Sequence, residues 1–144
     1  MIYDIEYIGK VAYNIANKYF KDLLLGVSVW GEIINKDVFD PRLDAINIMI
    51  VLQQIPYDEL ILQSSIEFDY QTVLKHRVDA MLSTLPRMED MYLRGYTPYV
   101  LAVQNAFYAF NPEIFEKLKK RKYSCGEDAI NFSLERAFVS FGMG

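Results

Sequence analysis

Near the start of the chain Ile5, Ile8, Ala12, Ile15 and Tyr19 recur at helical spacing, with Asp4 placed to cap the helix they predict. The pattern then shortens. DLLLGVSVW (22–30) is rich in branched residues and too short for a good helix, so it predicts a buried strand. INIMIVL (46–52) is the strongest strand signal in the chain. Between them NKDVFDPRLD (35–44) has the Asn, Asp and Pro content of a turn or excursion. After Pro56 a short helix is predicted through YDELIL (57–62). SIEFDYQTV (65–73) alternates, with Ile66, Phe68 and Tyr70 on one face, and predicts a strand. HRVDAML (76–82) fits either strand or helix. Residues 87–110 read as helical material broken near Gly95 and Pro98 and returning to an extended AFYAF (106–110).

Two further helices carry terminal signals. Asn111 is placed to cap the first, Pro112 takes its first position, and Lys117 to Lys122 load its last turn against the helix dipole. Ser124 and Glu127 make a capping box that opens the second, with Ile130, Leu134, Ala137 and Phe138 on one face. No internal repeat, low-complexity tract or linker interrupts the sequence. The order predicts one domain spanning 1–144, of the α/β (α+β) class, with a small mixed sheet and helices packed on one of its faces.

Composition narrows the function classes. A chain of 144 residues with 52% hydrophobic and 24% charged residues supports a real core and argues against disorder. A net charge of −4 argues against a nucleic-acid coat protein. With Cys125 the single cysteine and His76 the single histidine, no internal disulfide can form and a zinc site would lack ligands. MIYDIEYIGK has early acids and no basic segment, so it does not read as a signal peptide, and no apolar run is long enough to span a membrane. The expectation is a cytoplasmic protein with no membrane contact.

The chemistry concentrates in residues 29–52. A strand, a tight turn and a second strand with acids at i and i+2 is a way to hold two Mg²⁺ ions, because alternate residues share a strand face. Such ions bind a nucleoside triphosphate and stabilise developing charge. Here Trp30-Gly31-Glu32 ends the first strand, and Asp44-Ala45-Ile46-Asn47 opens the second.

Residues 22–52 resemble the minimal nucleotidyltransferases of the polymerase-beta-like superfamily, whose pattern is hydrophobic-Gly-Ser, a turn, then Ser-Asp-hydrophobic-Asp. The resemblance continues in TPYVLAVQNAFYAFNPEIFEKLKKR (97–121), similar to that family's later helix, strand and helix, and so covers most of the chain. It implies a nucleotide site at Gly31, Glu32 and Asn47, and a third carboxylate on a later strand, for which Asp79 is placed. It also places Ala45 and Asn47 where the family carries its metal carboxylates, and Glu32 where it carries a small Ser. Alanine has no ligand oxygen, asparagine offers a neutral one, and a glutamate beside phosphates repels them. Asp40, Asp44 and Asp79 could serve as metal ligands, with Asp44 and Asp79 catalytic, in an unusual arrangement. Against this, Asp40 and Asp44 are four apart with Pro41 between them, which suits turn and cap chemistry better.

Other residues read more simply. His76, in LKHRVD, reads as a solvated surface histidine, Cys125 as an ordinary thiol, and KLKKRKY (117–123) as a solvated helix end. The aromatic density of 91–110 reads as core and interface, some of it able to close a homodimer. P-loop, Rossmann and zincin motifs are absent from the sequence.

Three functions stay open. The first is a catalytically inactive or weak nucleotidyltransferase-fold module, binding or regulatory, without cofactor, paired with a helical toxin-like protein or with itself, as the resemblance implies. The second is an active enzyme using Mg²⁺ and ATP to transfer a nucleotide to a protein or small molecule. The third is an unrelated α+β interaction domain.

Overall fold

A computed structural model describes residues 4–124. Helix α1 (Ile5–Phe20) begins where Asp4 accepts a hydrogen bond from the Glu6 amide. A single 3-10 turn, Lys21–Leu23, leads into strand β1 (Leu24–Trp30), and β2 (Ile46–Leu52) occupies the predicted seven residues. Helix α2 (Glu59–Leu74) and strand β3 (Val78–Thr84) follow. Then come α3 (Leu85–Leu93), α4 (Thr97–Gln104), β4 (Ala106–Phe110) and α5 (Pro112–Lys119). The sheet order is β3-β2-β1-β4, with β2 and β3 parallel and both other pairs antiparallel. This is the small mixed sheet that the sequence predicts.

Four expectations need correction. Residues 65–73 are helix, not strand. Ile66, Tyr70 and Leu74 recur every fourth residue and are buried, whereas Phe68 points to solvent. No Gly or Pro interrupts 59–74, so the helix started by Asp58 runs on. Helices cover both faces of the sheet rather than one. Ile46, Ile48, Ile50 and Leu52 pack with α1 and α2, while Met49 and Val51 pack with α3, α4 and α5. A strand apolar on both sides needs a layer on each. Asn111 does not cap α5 with its side chain. It adopts φ 51°, and its Nδ2 donates to the Leu25 carbonyl at 2.8 Å, pinning the helix start to β1. His76 is half-buried, with Nε2 at 2.7 Å from the Asp44 carbonyl oxygen.

The break at Gly95 (φ 79°) and the Pro98 start of α4 fall where the sequence places them, as does extended AFYAF. The helix expected after Ser124 and the thiol of Cys125 lie outside the described residues. No helix among the described residues is long and apolar enough to cross a membrane.

Candidate functional site

Trp30, Asn47 and Asp79 line up across one end of the sheet. Trp30 is the register partner of Asn47 in the antiparallel pair, and Asn47 is the register partner of Asp79 in the parallel pair. Neighbouring strands lie about 4.8 Å apart, so the Asn47 amide and the Asp79 carboxylate are adjacent on one face. That face is the one carrying Met49 and Val51, covered further along by α3, α4 and α5. Asp79 is exposed, Asn47 half-buried, and Ala45 is 5% exposed just ahead of β2.

Gly31 turns the chain out of β1 with φ 99° and ψ −159°, a conformation nearly confined to glycine. A Cβ there would also meet Asn47 Nδ2 at 2.5 Å, so Asn47 lies directly over the glycine. Gly31→Ala is therefore expected to cost about 1–3 kcal/mol, read as a lower denaturant midpoint. Because the cost is chiefly backbone, most of it should persist beside Asn47→Ala. A penalty erased in that background would mean a side-chain clash instead. Glu32, next in the chain, is exposed at the start of a 3-10 turn, Glu32–Ile34.

The acids of the excursion are held by its own backbone. Asp44 Oδ2 accepts from the Asp40 amide at 2.8 Å, and Asp40 Oδ1 accepts from the Arg42 amide at 2.9 Å and faces Arg42 Nε at 3.4 Å. This is the turn chemistry that the spacing around Pro41 suggests. His76 holds the same loop from the α2–β3 connection. Since a carbonyl only accepts, Nε2 must carry the proton in that contact, and the imidazole also lies 5.5 Å from the Phe39 ring. The structure thus brings Gly31, Asn47 and Asp79 together and gives Asp40 and Asp44 to the loop. Among the described residues no three His, Cys, Asp or Glu side chains stand close enough to hold a metal ion.

Sequence reasoning missed two polar atoms on the same face. Trp30 Nε1 and Ser28 Oγ are buried without a hydrogen-bond partner among the described residues. Their signal was only that a Trp and a Ser fall at alternate positions of β1. The aromatic residues divide as core and partial cover. Tyr92 and Tyr99 are buried, Tyr99 donating to Ser83 Oγ at 3.2 Å, while Tyr96, Phe107 and Tyr108 are half-buried. Lys117 and Lys119 sit exposed in the last turn of α5.

The chain matches no family model and no curated protein. Solved structures do match. A chain of a toxin-antitoxin crystal structure with AMP-PNP superposes with TM-score 0.53 at 11% identity, over 94% of this chain and 98% of that one. The fold is nucleotidyltransferase-like. A chain from the complex of a tri-AMPylated Shewanella oneidensis HEPN toxin with MNT antitoxin gives TM-score 0.50 at 10% identity, over 96% and 99% of the two chains. A mutant of the toxin-antitoxin MntA-HpeT gives TM-score 0.50 at 11% identity, over 92% and 98%.

Proposed function

We propose that this chain is a nucleotidyltransferase-fold binding module without effective catalysis, acting through a protein partner. The observation that carries this reading is the pair Ala45 and Asn47 at the head of β2. They take the i and i+2 positions where a carboxylate pair would hold metal, and Asp79 is the acid in register with Asn47 on β3. Mg²⁺ takes oxygen ligands in near-octahedral geometry and relies on carboxylates together with substrate phosphates. A buried methyl, a neutral amide and a single carboxylate do not fit a two-ion site. What Gly31 and Asn47 retain is a glycine turn with an amide packed over it, groups that can hydrogen-bond a polar ligand without a metal.

The structural neighbours support the choice of partner. They come from toxin-antitoxin complexes, one with AMP-PNP and one with a tri-AMPylated HEPN toxin. One neighbour is mutated in two aspartates two residues apart, the spacing that Ala45 and Asn47 have here. The partner proposed for this chain is accordingly a helical, toxin-like protein, with self-association as a second protein contact.

Calorimetric titration with ATP and the other triphosphates, with and without Mg²⁺, tests the reading. The expected result is no Mg²⁺-dependent heat for the protein as it stands. Metal-dependent binding abolished by both Asp44→Ala and Asp79→Ala would overturn it in favour of an active nucleotidyltransferase.

A further inference from the structure

Helix α2 carries its charges on its flanks and its apolar side chains outermost. Each acid within it is tied sideways. Glu59 pairs with Arg87 at 3.0 Å, Glu67 accepts from Gln63 at 3.1 Å, and Asp69 accepts from Tyr19 at 2.6 Å. The side opposite the buried Ile66, Tyr70 and Leu74 holds Ile61 and Phe68, which are 53% and 68% exposed, with Leu60, 73% exposed, on its N-terminal flank. Ser64, Ser65 and Thr72 lie between and beyond them, also exposed, so the stripe contains no ionisable side chain. An ordinary surface helix puts its charges there instead. Large apolar side chains exposed on an uncharged helix side offer a contact surface.

The charges at its two ends say what covers it. Asp58 stands at the N-terminal end as the cap, while Lys75 and Arg77 are exposed just past the C-terminal end. We infer that a second copy of this chain docks on α2, the two helices antiparallel about a two-fold axis near Ser65. That arrangement sets Asp58 of each copy towards Lys75 and Arg77 of the other and opposes the helix dipoles. A parallel pair would stack like charges at both ends. Serines at the centre let the backbones approach closely, and Phe68 of each copy packs beside Ile61 of the other. Sixteen residues give a contact about 24 Å long. A single helix pair of that length sits at the small end of specific interfaces, so dissociation falls in the micromolar range, on the order of 1–100 µM.

The inference deepens the protein-binding reading above and rests on it, but it can fail alone, because triphosphate titration and capture of a helical partner do not depend on α2. Sedimentation of the full chain over a concentration series is the test, with Phe68→Asp as the variant. Phe68 is solvent-exposed, so the variant should keep its circular dichroism and melting point while its dimer constant weakens at least about 30-fold, a hot-spot loss. In a Cys125→Ser background, Ser65→Cys should crosslink to itself under mild oxidation. A chain that stays monomeric up to its solubility limit, or a dimer that Phe68→Asp leaves intact, overturns the inference. So does a Ser65→Cys protein that dimerises yet never crosslinks.

Discussion

Installing both acids, Ala45→Asp with Asn47→Asp, is expected to create Mg²⁺-dependent triphosphate binding where none is expected of the unmodified chain. Residues 45 and 47 alternate at the head of β2, so their side chains share the face on which Asp79 stands in register beside 47. Three carboxylates on adjacent strand positions, next to a glycine turn, make an oxygen-rich site able to bridge two ions. The sign of the stability change is diagnostic. Ala45 is 5% exposed, so without metal the double variant buries a charge beside two like charges and must lose stability. Mg²⁺ with ATP should then restore about 2.7 kcal/mol at a hundredfold excess over Kd, seen as a rise in Tm absent from the parent protein. Each single variant should recover much less, since one added carboxylate leaves the pair incomplete. A double variant that folds but shows no metal-dependent rise would mean that positions 45 and 47 are not where a carboxylate pair holds metal in this fold.

How far the sequence revealed this arrangement depended on whether a signal was local. INIMIVL was legible to the residue, because a short branched run bounded by turn residues has few alternatives. The break at Gly95 and the Pro98 start were equally local. Residues 65–73 misled because apolar side chains lie on both sides of α2. Phe68, exposed, completed a false alternation with Ile66 and Tyr70 and hid the true spacing of four. That error and the dimer surface have one cause, an apolar residue outside the core. The neighbourhood of Asn47 and Asp79 needs strand order, and β3 reaches β2 through the α2 crossover, whose second half (65–73) has the sequence pattern of a strand. The grip of His76 on the Asp44 carbonyl was likewise invisible, because 32 residues separate the two.

Removing Phe115 should produce a severe loss of stability. Phe115 is fully buried in the layer formed by α3, α4 and α5, and its ring stacks on Tyr108 of β4 with centroids 5.0 Å apart and planes 6° from parallel. It also fills space that Gly26 leaves on β1, where a Cβ would stand 3.0 Å from the Phe115 ring and 2.4 Å from Ile114. Phe115→Ala therefore opens a cavity against both β1 and the edge strand, and large-to-small changes of this kind cost about 3–5 kcal/mol. Against a typical total of about 5–15 kcal/mol, that is enough to shift the denaturant midpoint severely with little change in slope. Phe115→Leu, which keeps most of the volume, should lose much less. The α2 stripe lies beyond the opposite face of the sheet, so at temperatures where Phe115→Ala is folded its self-association should match the parent. A loss below about 1 kcal/mol would mean that α5 does not rely on this ring and that the Asn111 bond to Leu25 is its principal tether.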